Sequence, residues 1–356
     1  MKIYRNSLFL CLILLFSFNA SFAKEKWIRV DAPNFTLYGD SDEKNIKNVA
    51  FKLEQFRKTL GLLLPNAKLN SSLPTVVYVF KDDDSFKPFK PMENGKINER
   101  VAGYFFQSGD TNYIALSTDP RLREPFRLIF HEYFHFVMEN NLDSAPIWVN
   151  EGLAEYYSTF EVANNNEGAN IGKLINDSLV KLKSRDIIPL DKFFNLEKGT
   201  KDYSKAVKDG IFYPQAWAVV HFFLNANSGQ RSEQFYQFVG KLNQGAEVKK
   251  SFQESFNADY KQIENELRQY LGKFQFNFIK YTFTGKLISE SSFTSREISE
   301  AETLQKKGDL LVYSEQQDKS QKFLYDAIKQ DPNLVSAHLS LGKLNLNLKR
   351  YQLARS

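Results

Sequence analysis

The chain has 356 residues, a formal net charge of +5, 25% charged residues and 15% aromatic residues, with 32 phenylalanines and a single cysteine. Basic and acidic residues alternate throughout, without the cationic stripe that nucleic-acid binding needs. The length is a soft prior for two domains, and the aromatic content can supply a substantial core.

The chain opens with "MKIYRNSLFLCLILLFSFNASFAKEKW". Lys2 and Arg5 precede an apolar run from Leu8 to Phe18, and small residues follow at Ser21 and Ala23. This pattern predicts a secretory signal peptide over 1–23, cleaved after Ala23, and so a periplasmic or secreted protein. Removing the two charges of Lys2 and Arg5 leaves the mature chain near +3. Cys11 falls inside the apolar run, so the mature chain is expected to carry no cysteine and no disulfide. No later segment has the ~20 apolar residues that span a bilayer, which predicts a mature chain without a transmembrane segment.

Next, "WIRVDAPNFTLYGD" (27–40) alternates like a strand pair broken at Ala32-Pro33-Asn34. In 41–64 the apolar residues Ile46, Val49, Leu53, Phe56 and Leu60 fall on one helical stripe, with Ser41 and the acids behind it suiting the start. "LPTVVYVF" (73–80) reads as a buried strand. "VAGYFFQSGDTNYIALS" (101–117) reads as a hairpin around Gly109-Asp110. A helix is predicted over 125–140, with Pro125 tolerated in its first turn. A second helix starts near Ser144-Ala145-Pro146 and carries "IWVNEGLAEYYSTF". Residues 173–271 are mostly helical, with loops at "SRDIIPLDK" and "NANSGQRSE". Strands concentrated early and helices late predict an α+β fold with a small mixed sheet.

"ISESSFTSREISEAE" (288–302) reads as a linker or the lead-in to a helix. Beyond it Gly308 and Gly342 are 34 residues apart, the period of tetratricopeptide helix pairs. Ala327, Pro332, Leu341 and Ala354 fill further positions of that pattern. The division expected is 24–290 for a first domain and 301–356 for a helical repeat whose second copy is incomplete. Such stacks need about three units for stability, so these helices lean on the main domain or belong to a longer array.

The chemistry concentrates in "FHEYFHFVMEN" (130–140). His131 and His135 are four apart and stand on one helical face, so both imidazoles can reach one ion. Phe130, Phe134 and Val137 form an adjacent apolar stripe that anchors the helix. Glu132 projects about 100° round from His131, placed to touch a water on the metal without being a ligand. The competing reading of this stretch alone is a pair of core histidines. The next helix offers the third ligand that a catalytic zinc requires, Glu151, after a gap long enough for a turn. Glu155, four residues on, is placed to accept the second N–H of a ligating histidine. As donors to an oxyanion, "GIFYPQAWAVVHFF" offers Tyr213 at a helix start and His221 two turns on.

Taken together, "HEYFH…WVNEGLAEYY" resembles the gluzincin clan of zinc metallopeptidases, which includes thermolysin and the neutral aminopeptidases. It is most similar to the bacterial exported peptidase MA-like proteins that often carry tetratricopeptide repeats. The resemblance covers roughly 75–225, with 301–356 separate. It implies one Zn2+ per chain held by His131, His135 and Glu151, with Glu132 as general base and Glu155 behind the ligands. It also implies Tyr213 as the phenol that stabilises the oxyanion, which leaves His221 as a packed helix histidine. In this clan the substrate groove borders an edge strand. Here Ala102, Gly103 and Tyr104 of "VAGYFF" sit where that edge should be, to receive an extended peptide or to serve as an ordinary core strand. Where the aminopeptidases carry a Gly-x-Met-Glu-Asn run at that edge, this sequence has "VAGYFFQSGD" with no acid near the strand, so the expectation is an endopeptidase acting on a peptide or protein, with the repeat binding a partner protein. The rivals are a non-catalytic binding protein and a zinc hydrolase of a non-protein amide such as a cell-wall bond.

Overall fold

A computed structural model describes residues 26–355 apart from 71–72, 94, 100, 122–124, 143 and 289–292. The expected signal peptide lies outside the described residues. Among the described residues no helix is long and apolar enough to cross a membrane.

Strands β1 (Ile28–Asp31) and β2 (Thr36–Gly39) form the expected antiparallel pair. Helix α1 (Glu43–Leu63) buries Ile46, Val49, Leu53, Phe56 and Leu60. Its cap is Asp42, whose carboxylate accepts from the Asn45 N–H at 2.8 Å. Ser41 instead accepts from the Asn45 side chain and lies 3.4 Å from Thr118 Oγ1. After β3 (Thr75–Phe80) come a short α2 (Asp83–Phe86) and a two-residue hairpin, β4 (Met92–Glu93) and β5 (Lys96–Ile97). The predicted hairpin follows as β6 (Gly103–Gln107) and β7 (Asn112–Ser117). Helices α3 (Pro125–Asn141) and α4 (Ile147–Ser158) lead into a hairpin, β8 (Glu161–Ala163) and β9 (Gly168–Ile171).

Seven helices then form a helical layer: α5 (Asn176–Ser184), α6 (Leu190–Phe193), α7 (Lys201–Lys208), α8 (Phe212–Asn225), α9 (Ser232–Asn243), α10 (Val248–Phe256) and α11 (Tyr260–Leu271). β10 (Ile279–Thr282) returns to pair with β9, and β11 (Thr294–Glu297) pairs with β1. The chain closes with α12 (Glu300–Leu311), α13 (Gln317–Gln330) and α14 (Val335–Asn347).

The main sheet is mixed, in the order β11-β1-β2-β3-β7-β6, with the β2–β3 and β3–β7 pairs parallel. Its residues alternate between two buried layers, as a period of two requires. Leu37, Val77, Val79, Ile114 and Leu116 join the core of α1, α3 and the helical layer. Tyr38, Tyr78, Phe80, Tyr113 and Ala115 face the other way, onto Trp27, Phe86, Phe89 and the α12 residues Leu310 and Leu311.

Of the two readings of 288–302, a linker or the lead-in to a helix, the second holds at its end, where Ser299 caps α12 and accepts from the Glu302 N–H, while the stretch before it also carries a strand. Residues 294–297 are an edge strand, and the boundary expected between 290 and 301 is crossed by a shared hydrophobic layer. Thr294-Ser295-Arg296-Glu297 is polar because an edge strand keeps much of its surface in water, so the alternation that reveals a strand is absent. The helix pair itself is tight: a Cβ on Gly308 would stand 2.7 Å from the Leu324 side chain, so α12 and α13 approach this closely only with glycine there.

Candidate metal centre

Helix α3 is anchored by its aromatic stripe. Phe130 packs on Phe56 and Phe160 at ring distances of 4.7 and 5.1 Å, and Phe134 stacks on Tyr157 of α4 at 4.5 Å. With that face sunk into the core, Arg127, His131 and His135, spaced four apart, share the neighbouring face. Helix α4 is set by a glycine. A Cβ on Gly152 would lie 2.5 Å from the Ala216 carbonyl of α8, and this close crossing fixes the depth of the adjacent Glu151.

The three expected ligand atoms converge. His131 Nε2 and His135 Nε2 are 3.0 Å apart, and Glu151 Oε2 lies 3.4 Å from the first and 3.5 Å from the second. A tetrahedral ion with bonds of roughly 2.0–2.1 Å places its ligand atoms about 3.3 Å apart, the edge of a tetrahedron being about 1.63 times its arm. The donor set therefore fits a metal ion without rearrangement, and His131, His135 and Glu151 are the residues that could hold one.

The tautomers agree with that role. His135 Nδ1 lies 2.6 Å from Asn150 Oδ1, an acceptor, so Nδ1 carries the proton and the Nε2 lone pair faces the cluster. His131 Nδ1 faces Glu155 Oε1 at 3.8 Å, beyond direct hydrogen-bond range. The other Glu155 oxygen accepts from Arg127 Nη1 at 2.6 Å. Glu155 is thus near its expected place but is shared with a cation. Asn150 and Arg127 carry roles that sequence reasoning did not assign. The four-residue spacing of Arg127 from His131 was the available signal for the second. Asn150 directly precedes Glu151, and nothing local marks it.

The electrostatics follow from burial against mutual attraction. Burial alone would lower the His131 imidazole, but its hydrogen bond to Glu151 and the charges of Glu155, Glu132 and Glu151 outweigh this and hold it up at about 9. Burial would raise Glu151, and its hydrogen bonds to His131 and His135 overcome that and hold it down at about 2. Glu132 is pushed up by burial, against the pull of the two histidines and a backbone hydrogen bond from Phe105.

A cavity of about 900 Å³ opens over the cluster, lined by Gly103, Arg127, Glu132, Asp177, Lys181 and Tyr213 among others. Tyr213 stands in the first turn of α8, where the following Pro214 needs no intrahelical donor. Burial and the nearby Glu151 charge push its phenol up, so it stays protonated and able to donate.

β6 is the free edge of the main sheet, and Ala102 and Gly103 line the cavity. Tyr104 does not. Its ring stacks on Phe86 at 6.0 Å and its hydroxyl donates to the Phe89 carbonyl at 2.9 Å, on the opposite face. Its backbone is also turned inward. Ser117 N–H donates to the Ala102 carbonyl and Ser108 N–H to the Thr111 carbonyl, so even-numbered residues bond to β7. Gly103 and Phe105 turn their backbone groups to the free edge. Phe105, not Tyr104, is therefore the second edge residue beside the cluster.

His221 lies outside the centre. It is fully buried on α8, donating from Nε2 to the Gly172 carbonyl at 2.8 Å and accepting at Nδ1 from the Tyr270 hydroxyl at 2.7 Å.

A model of a protein family of unknown function, DUF1570, matches residues 129–248, a span that runs from the ligand helix α3 through α9. No curated protein matches the chain.

Proposed function

We propose that this protein is an exported zinc-dependent peptidase of gluzincin type, an endopeptidase, with tetratricopeptide-like helices at its C-terminal end. The observation that carries the reading is the triangle of His131, His135 and Glu151 atoms at tetrahedral spacing, with Glu132 beside it and a cavity open above it. The likeness of "HEYFH…NEGLAEYY" to zinc peptidases supports the same ion. Zinc there would supply a Lewis acid that polarises a carbonyl and acidifies a water.

The chain's own groups do the rest. Glu132, raised by burial, takes the proton of the attacking water and hands it to the leaving amine. Tyr213 donates to the oxygen on which charge develops. Gly103 offers its edge backbone groups, and Phe105 its carbonyl, since the Phe105 N–H is held by Glu132, to an extended substrate that adds as one more strand. Asn150 orients the His135 imidazole through its hydrogen bond to Nδ1, and Glu155, held by Arg127, sets a negative charge opposite His131 Nδ1.

The test is incubation of the purified protein with an unfolded protein substrate, with and without a chelator. Fragments that disappear with chelator are expected. Glu132→Gln should keep about one zinc per chain and lose turnover by roughly 10²–10⁴-fold. Unchanged turnover removes Glu132 as the base. A zinc-loaded chain that binds unfolded protein without cutting it overturns the peptidase reading.

A further inference from the structure

Strand β6 is held from two sides. Toward α3, a Cβ on Gly103 would touch Leu128 at 2.9 Å, and Phe105 meets Phe136 at 6.1 Å between ring centres. On the opposite face Phe106 stacks on Tyr113 of β7 at 4.7 Å. Tyr113 reaches further: its hydroxyl donates to Asp309 Oδ2 of α12 at 3.2 Å. The other Asp309 oxygen accepts from Ser340 of α14 at 2.7 Å, and Ser340 in turn accepts from Gln305 at 2.9 Å. All four residues are buried. A second tie joins the tip of the same hairpin, where Lys343 Nζ of α14 lies 2.6 Å from Asp110 Oδ2 in the β6–β7 turn.

A buried carboxylate is costly unless its oxygens are satisfied. Asp309 divides its two oxygens between the sheet and α14, so each of its partners is needed by the other. Packing between two helices requires no such group. We propose that Asp309 and Lys343 are positioning residues for the groove: through Tyr113 and Asp110 they set the depth of the β6–β7 hairpin, and so where Gly103 and Phe105 meet a substrate beside Glu132. The C-terminal helices then belong to the substrate site. The kinetic part of this proposal rests on the peptidase reading, and the mechanical part does not.

The experiment is hydrogen exchange read by mass spectrometry on the full-length, zinc-loaded protein, alongside peptide-cleavage kinetics. In Asp309→Ala the β7-bonded amides of Tyr104 and Phe106 should exchange roughly five-fold faster, the scale of one lost buried hydrogen bond, and in Lys343→Ala, which breaks a partly exposed pair, roughly two-fold faster, while α3 and α4 are unchanged and zinc content stays constant. KM should rise several-fold with kcat nearly constant. Arg231→Ala, which breaks the 2.8 Å pair with Glu266 in the helical layer, is the control and should leave β6 and KM alone. If Asp309→Ala does not fold, Tyr113→Phe removes one donor while keeping the ring stack. Faster exchange confined to α12–α14, or an unchanged KM in a cleaving enzyme, overturns the proposal. If the wild-type protein cleaves nothing, the peptidase reading fails, and the exchange of Tyr104 and Phe106 alone decides the positioning.

Discussion

His131 on α3 is largely buried beneath the cavity and His221 on α8 wholly so, yet their imidazoles are driven in opposite directions. Around His131 stand Glu151, Glu155 and Glu132, and their combined pull exceeds the cost of burial and holds the ring up at about 9. Around His221 stand the Tyr270 hydroxyl, the Gly172 carbonyl and the rings of Trp217 and Tyr156. There burial outweighs the backbone hydrogen bonds and drives the ring down to about 4. Desolvation acts on both, and neighbouring carboxylates decide the sign. The same carboxylates leave the first environment able to hold a cation. The second, with neutral partners on both ring nitrogens, has no lone pair left to offer.

The largest expected effect breaks this contrast at its centre. His131→Ala should reduce zinc from about one per chain to almost none, and His221→Gln should leave zinc content unchanged. Metal analysis after dialysis reads both, and a His131 variant that keeps its metal would remove the ligand set. Next in size is the pH dependence of stability. His221 takes up its proton at about 6.5 when unfolded and at about 4 when folded. Between those values the unfolded state binds more protons, so stability should fall as pH drops from 6.5 to 4 and then level off. The loss is about 3 kcal/mol from this one group. Denaturant titrations at pH 7 and pH 4.5, compared with the His221→Gln variant, should show that variant losing less on acidification; equal losses would sink the assignment. The smallest effect concerns Arg127. Arg127→Gln frees Glu155 Oε2 from its 2.6 Å cation, and metal affinity in a chelator competition should fall roughly ten-fold, the usual scale for groups behind the ligands. An unchanged affinity would show that Glu155 needs no partner on α3.

The parts of this molecule legible from sequence are those in which a local period carries the information. The α1 stripe, the β6–β7 hairpin and the one-turn separation of His131 and His135 are all repeats of 3.6 or 2 written directly in residue order. Glu151 was also within reach, because one turn between two helices leaves few ways for its side chain to point. What stayed hidden depends on partners remote in the chain or on strands without an apolar alternation. β11 joins β1 across some 270 residues and is too polar to announce itself. Tyr104 reads as a groove residue until the pleat turns it toward Phe86.

Sequence alone thus determined the chemistry available: two imidazoles and a carboxylate able to meet, a second carboxylate beside them, and an apolar stripe to anchor their helix. Tertiary structure decided how that chemistry is held. It gave Glu155 to Arg127, set His135 against Asn150, put Gly103 and Phe105 on the sheet edge, and laid α12 and α13 over the far layer of the sheet. The physical reason is one of range. Periodicity follows from the geometry of a few consecutive residues, whereas the pairing of buried polar groups is settled only when distant segments must satisfy one another out of water.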